Sequence, residues 1–133
     1  MHFLIGIGLA LGVGGFAWWL GLDRDRAFYP TVMMVIASIY VLFAATVGSP
    51  ALLVETSIGL GFVVLAAIGF KQSPWFVVAA LIGHGLFDLV HPRAIENGGV
   101  PVWWPDFCSA YDVTAGAWLA WRIWLERPRP RAL

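Results

Sequence analysis

Long apolar runs alternate with short polar breaks along this chain of 133 residues. Five runs can be marked, at residues 3–22, 28–47, 52–70, 74–90 and 107–125. A helix needs roughly 17 to 25 residues to cross about 30 Å of hydrocarbon, so each run is long enough. None of the runs alternates like a barrel strand, and backbone groups in lipid must be satisfied internally. The pattern therefore predicts one all-α membrane domain, residues 1–133, built as a bundle of five transmembrane helices.

Composition supports a membrane protein. Apolar residues make up 60% of the chain and charged residues 12%, whereas about a quarter of a soluble domain is charged. Eight acidic and eight basic residues balance, and no basic patch suggests nucleic acid as a partner. Cys108 is the only cysteine, so an intrachain disulfide is excluded, and we expect this side chain to serve in packing.

The basic residues predict the orientation. If the N-terminus is outside, Arg93 is the one basic residue on the outer side. The cytoplasmic segments then contain Arg24, Arg26, Lys71, Arg122, Arg127, Arg129 and Arg131. Such an excess of positive charge is typical of the cytoplasmic side. We therefore expect an outer N-terminus and a cytoplasmic C-terminus.

Ionisable side chains also occur inside the apolar runs, chiefly in the segment GHGLFDLVHP at residues 83–92. Its members His84, Asp88 and His91 are spaced i, i+4, i+7, which places them within about 60° of one another on a helix. Glu55 lies near the start of the third run and Asp112 near the start of the fifth. The predicted topology places all five side chains within roughly 10 Å of the outer boundary.

Carboxylates at this depth need compensation, because an ionised side chain there costs from about 2.5 to more than 10 kcal/mol. Protonation, pairing with imidazolium or a bound cation can supply it. Imidazole and carboxylate together suit Zn²⁺ best, with Mn²⁺ or Fe²⁺ as alternatives. We predict His84, Asp88 and Asp112 as metal ligands, and Glu55 and His91 as catalytic base or orienting groups. One ion that also reaches Glu55 is preferred to two ions bridged by a carboxylate.

Three functions fit these residues. The first is a metal-dependent hydrolase that acts on a membrane lipid or another amphiphile from the outer side. The second is a proton- or cation-coupled transporter or channel subunit that uses the same side chains. The third is an accessory subunit, with haem bound between His84 and another histidine. Gly8, Gly12 and Gly15 in the first run also predict a close helix contact, within the chain or in a homo-oligomer.

Three stretches carry a resemblance. They are DRDRAFYPTVMMVIASIYVLFA from residue 23, GHGLFDLVHP from residue 83 and VPVWWPDFCSAYDV from residue 100. Over residues 23–120 the chain resembles a family of small, uncharacterised bacterial integral membrane proteins. The resemblance implies a multi-pass protein of the bacterial plasma membrane, and it implies no activity, cofactor or site residue.

Overall fold

The computed structural model describes residues 1–126 and contains five long helices in that part of the chain. A short 3₁₀ turn, Leu22–Arg24, connects the first two helices. The helices are α1 His2–Leu20, α2 Phe28–Thr46, α3 Leu52–Lys71, α4 Trp75–Ala94 and α5 Trp104–Leu125. The all-helical architecture predicted from the sequence is thus confirmed for the described residues.

Two boundaries differ from the sequence prediction, and both differences involve proline. We predicted that the fourth run ends at residue 90, but α4 continues through Pro92 to Ala94. We predicted that the fifth run begins at residue 107, but α5 begins at Trp104 with Pro105 in its first turn. A proline in the first turn of a helix removes no intrahelical hydrogen bond. The connector consequently shortens to residues 95–103, and His84 lies near the middle of α4.

Four helices, α1 to α4, are long and apolar enough to cross a membrane. Helix α5 has 22 residues but is less apolar, since it contains Asp106, Asp112 and Arg122. Length and composition therefore support four crossings directly.

The helices pack in the order α1, α5, α4, α3, α2, so that α5 is covered by α1 on one side and α4 on the other. We call the end at which α1, α3 and α5 begin the upper end, and the opposite end the lower end. At the upper end the ring of His2 lies 6.1 Å from that of Trp103. At the lower end the Arg122 Nε donates to Asp23 Oδ2 at 3.2 Å. Successive helices therefore run antiparallel.

Helix α1 contacts α5 through small residues, but not through those that the sequence suggested. A Cβ atom on Gly8, Gly12 or Gly15 would meet no heavy atom within 4 Å. These glycines therefore do not form the intrachain contact, and their role in a homo-oligomer stays a prediction. The buried stripe on α1 consists of Gly6, Ala10, Gly14 and Ala17.

Candidate functional site

Helices α4 and α5 approach closely in the middle of the bundle, because glycines face the contact. A Cβ atom on Gly85 would lie 2.9 Å from the Ser109 carbonyl oxygen and 3.1 Å from the Asp112 Cβ. A Cβ atom on Gly116 would lie 2.7 Å from the Ile82 Cγ1. Small residues of this kind allow helix backbones to come together in membranes. The approach brings the side chain of Asp112 on α5 against that of His84 on α4.

Four side chains meet at this contact, and we call them the tetrad: His84, Asp88, Cys108 and Asp112. The His84 Nδ1 lies 2.7 Å from Asp112 Oδ2 and 3.5 Å from Asp88 Oδ2. The Cys108 Sγ lies 3.7 Å from Asp112 Oδ2. Each residue offers one atom that could bind a metal ion, and these four atoms all lie within 4.8 Å of one another. The structure thus brings the three predicted ligands together and adds a thiol.

The carboxylates of the tetrad are buried without sufficient partners. Asp88 and Asp112 are 0% exposed. Within residues 1–126, both oxygens of Asp88 and the Oδ1 of Asp112 have no hydrogen-bond partner. The 3.5 Å contact between His84 and Asp88 is an ion-pair distance without hydrogen-bond geometry. A buried carboxylate that lacks partners costs several kcal/mol, so the tetrad requires additional protons or a cation.

The tetrad can hold a metal ion. Its imidazole nitrogen, carboxylate oxygens and thiol sulfur are the ligand types that Zn²⁺ takes in proteins. Metal–ligand bonds of about 2.0 to 2.3 Å at tetrahedral angles separate the ligand atoms by about 3 to 4 Å. The separations from His84 to the two carboxylates and from Cys108 to Asp112 come close to this range, so small side-chain adjustments would suffice to surround one ion.

The two predicted catalytic residues lie apart from the tetrad and bind each other. The His91 Nε2 and the Glu55 Oε1 are 2.8 Å apart. The Asn97 Nδ2 donates to the same Glu55 oxygen at 2.8 Å and to the Tyr40 carbonyl oxygen at 3.2 Å. We call Glu55, His91 and Asn97 the upper cluster. His91 lies about 10 Å above His84 along α4, because seven residues separate them.

This arrangement differs from the single-ion site that we preferred from the sequence. We expected Glu55 to share an ion with the ligands of α4 and α5, but Glu55 binds His91 and Asn97 instead. The cause is the position of α4 relative to α3. Because α4 continues to Ala94, His91 rather than His84 lies level with the first turn of α3. The five predicted side chains therefore occupy two levels.

Tyr40 lies between the two levels. Its ring stacks on that of His91 with a centroid separation of 4.1 Å, and it lies 6.0 Å from the ring of His84. Its buried hydroxyl is near enough to Asp88 to interact with it, although in the described part of the chain no contact of this hydroxyl has hydrogen-bond geometry. Tyr40 therefore contacts the upper cluster through its ring and faces the tetrad with its hydroxyl.

Two cavities border these side chains, one next to the upper cluster and one next to the tetrad. A cavity of about 270 Å³ at the upper end is bordered by His91, Asn97 and Pro101, and we call it the vestibule. A larger space of about 750 Å³ lies between α1, α2 and α5, and we call it the lateral groove. Its lining includes Ile5, Leu9, Ile36, Ile39, Cys108 and Tyr111. Cys108 thus belongs both to the tetrad and to the wall of the lateral groove.

No protein-family model matches the chain, and no curated protein or solved structure matches it.

Sequence reasoning missed two residues of this region. Cys108, which we expected to serve only in packing, contributes a donor atom to the tetrad. A signal for it existed, because Cys108 and Asp112 are four residues apart on one helix and so share a face. Asn97 lies in the irregular connector, where periodicity carries no information. Its position depends on Gly99, where a side chain would collide with the Phe43 carbonyl.

Proposed function

We propose that this protein is a five-span membrane metalloprotein that binds a divalent transition metal ion at the tetrad and uses it to hydrolyse an amphiphile. Zn²⁺ is the ion that the donor set favours, with Mn²⁺ and Fe²⁺ as alternatives. The observation that carries this proposal is the burial of two carboxylates with three unpartnered oxygens beside an imidazole and a thiol. A divalent cation would neutralise the carboxylates and use those oxygens as ligands.

The proposal includes a fifth crossing and an orientation. Helix α5 packs along α1 and α4, and its 22 residues extend over about 33 Å, enough to cross the hydrocarbon. Arg24, Arg26, Lys71 and Arg122 occur at or near the lower end, whereas Arg93 lies at the upper end. The positive-inside rule then makes the lower end cytoplasmic in a bacterial plasma membrane. The tail residues that we counted with them, Arg127, Arg129 and Arg131, lie outside the described residues.

Hydrolysis is supported by the access routes to the tetrad. A bound ion of this kind lowers the pKa of a coordinated water and polarises a carbonyl or phosphoryl oxygen. His84, Asp88 and Asp112 would hold the ion, and Cys108 would be the ligand nearest to an amphiphile in the lateral groove. Water or substrate would reach the ion from the side of the groove, beside Cys108, as an additional ligand, since catalytic zinc can expand to five-coordinate.

In this proposal the upper cluster exchanges protons with water. His91 and Asn97 border the vestibule, and Tyr40 lies between His91 and the tetrad. Glu55 accepts hydrogen bonds from Asn97 and, in the matching tautomer, from His91, so it orients the imidazole. Glu55 and His91 would therefore act as the orienting group and the acid–base group, without binding the ion.

Transport and haem binding receive less support. A path across the membrane would need polar side chains below the tetrad, but the core of the described chain there is mostly apolar and includes Met33, Ala66, Val77 and Leu81, with Tyr29 as its polar member. A haem on His84 would need space beside its imidazole. The ring centroids of Phe62 and Tyr40 lie 4.9 and 6.0 Å from that of the imidazole, so these two rings occupy the space that a haem would need.

The experiment is metal analysis of the protein purified in detergent, followed by titration of the metal-free protein with Zn²⁺. We expect one ion per chain, loss of binding in Asp88→Asn and Asp112→Asn, and normal binding in the control Asp106→Asn. Asp106 is exposed in the first turn of the same helix as Asp112. If the protein contains no stoichiometric metal and binds no added Zn²⁺, the proposal is wrong.

The reaction is tested separately, by release of fatty acid or headgroup from a panel of lipids with and without a chelator. Flux of protons or cations through liposomes that depends on Asp88 and Asp112 would support the transporter instead.

A further inference from the structure

The lateral groove exists because α1 and α2 diverge at the upper end. Both helices contact the 3₁₀ turn at the lower end, but above it α1 packs on α5 whereas α2 packs on α3. The volume of about 750 Å³ falls within the range of about 300 to 1,000 Å³ that small-molecule sites occupy. The groove is therefore large enough to hold a substantial part of a lipid-sized molecule.

In a bilayer the groove would open onto hydrocarbon. The two helices at its mouth, α1 and α2, are both long and apolar enough to cross a membrane. On α1, Ile5 and Leu9 are about half exposed at the mouth, and on α2 Ile36 and Ile39 line the floor. Neither an acidic residue nor a lysine or arginine is among the lining residues. A chain of methylene groups matches this lining, whereas a charged or peptide-like ligand would leave its polar groups unpaired below the upper end, where Met1 and His2 line the groove.

The groove also has a direction. At its upper end His2 lies against Trp103, at the level where aromatic side chains meet headgroups. Leu9 lies about 10 Å below His2 along α1. Between these levels is Cys108, one turn below Trp104, with its sulfur 3.7 Å from Asp112 Oδ2. A chain lying in the groove would thus have its methylene end near Leu9 and its polar linkage beside the tetrad.

We propose that the lateral groove binds one acyl chain of a bilayer amphiphile and so selects the class of substrate that reaches the tetrad. The assignment of the tetrad as the reacting centre rests on the proposed function, but chain binding itself does not. Leu9, Ile36 and Ile39 are the residues that would contact the chain next to its polar linkage. Packing of a second copy of this protein in the groove is the competing outcome that the experiment must distinguish.

The experiment uses the full chain in vesicles of phosphatidylethanolamine and phosphatidylglycerol that contain a phosphatidylcholine with a photoreactive diazirine on one acyl chain. After irradiation, the labelled residues are identified by mass spectrometry. We expect labelling to concentrate on Ile36, Ile39 and Tyr111. Labelling that instead follows simple exposure, with Leu42 and Leu53 modified as strongly as the groove, would overturn the proposal.

A pair of variants on α1 sharpens the test. Leu9→Trp fills the groove and should lower its labelling at least threefold. Leu11→Trp is the control, because Leu11 is 46% exposed against 49% for Leu9 but does not line the groove. Equal labelling of the two variants would overturn the proposal, as would crosslinks between two copies through the groove.

The two proposals fail in different ways. Zn²⁺ stoichiometry measured on the same samples should be unchanged in Leu9→Trp. Groove labelling in a protein that binds no metal would contradict the proposed function and leave the acyl-chain site standing. Metal binding without selective groove labelling would contradict the acyl-chain site alone.

Discussion

The two glycines that flank His84 allow a test of how closely α4 and α5 must approach. A methyl group on Gly83 would have Phe62 Cε1 as its nearest neighbour, at 3.9 Å, which is an ordinary contact. A methyl group on Gly85 would lie 2.9 Å from the Ser109 carbonyl oxygen, 2.9 Å from Val113 Cγ2 and 3.1 Å from Asp112 Cβ. The backbone carbonyl cannot move without moving α5. The same substitution at the two positions should therefore have opposite effects.

The magnitudes follow from two opposing contributions. Replacing glycine by alanine in a helix interior stabilises the helix by about 0.8 to 1 kcal/mol at either position. Overpacking costs about 1 to 3 kcal/mol, and it applies only at Gly85. We expect Gly83→Ala to raise the free energy of unfolding by up to about 1 kcal/mol. We expect Gly85→Ala to lower it by up to about 2 kcal/mol.

Metal affinity should change in parallel with stability at Gly85. An ion at the tetrad needs Asp112 and His84 within bonding distance together, and a methyl group on Gly85 would displace Asp112, whose Cβ would lie 3.1 Å from it. Since about 1.4 kcal/mol corresponds to a factor of ten, Gly85→Ala should weaken Zn²⁺ binding by about tenfold. Gly83→Ala should leave the affinity unchanged.

The measurements are unfolding in mixed micelles, followed by tryptophan fluorescence, and competition for Zn²⁺ with a coloured chelator. If Gly85→Ala is as stable as Gly83→Ala and binds Zn²⁺ as tightly, the close α4–α5 contact does not control the tetrad, and our reasoning about it is refuted.

Three further substitutions probe the tetrad and the upper cluster. Asp88→Asn should raise the unfolding free energy of the metal-free protein by about 1 to 3 kcal/mol, because it removes a buried charge without partners. Zn²⁺ at a hundred times its Kd should stabilise the native protein by about 2.7 kcal/mol, and Asp88→Asn should lose this stabilisation. If the metal-free variant is less stable than the metal-free native protein, the Asp88 carboxylate has partners and our reasoning is wrong. Cys108→Ser should abolish the thiolate-to-metal charge-transfer absorption of the Co²⁺-loaded protein, and an unchanged spectrum would remove Cys108 from the ligand set. Glu55→Ala should cost about 1 to 3 kcal/mol of stability, because it leaves the His91 ring nitrogen buried without its partner and leaves Asn97 only the Tyr40 carbonyl, yet the folded variant should still bind one Zn²⁺.

Much of the candidate site could be predicted because it depends on helical spacing. His84 and Asp88 share a face of α4 by their i, i+4 separation, and this requires no knowledge of tertiary structure. Asp112 could be added because alternating helices of similar length place it at a comparable depth. The same reasoning applied to Cys108 would have completed the tetrad, but a single cysteine in an apolar run resembles a packing residue.

The rest depended on helix ends and connectors, where sequence patterns are weakest. Pro92 suggested that α4 stops before it, yet the helix continues to Ala94. Because the helix ends about one turn later than predicted, His84 lies too low in the bundle to contact Glu55, and His91 contacts it instead. The position of Asn97 depends on the path of the connector over α2, and that path requires glycine at position 99 because a side chain there would collide with the Phe43 carbonyl. No local pattern contains that information.

In the five-span arrangement that we propose, the burial of α5 between α1 and α4 has a consequence for biogenesis. A segment with Asp112 at its centre and Arg122 near its end enters a bilayer poorly by itself, since each such residue at the centre of a span opposes insertion by about 2.5 to 3.5 kcal/mol. Helix α5 is also the last of the five to leave the ribosome. By then both helices that cover it have been synthesised, so that they can shield its polar residues as the translocon releases it. The order of synthesis would thus allow the earlier helices to chaperone the insertion of the last one.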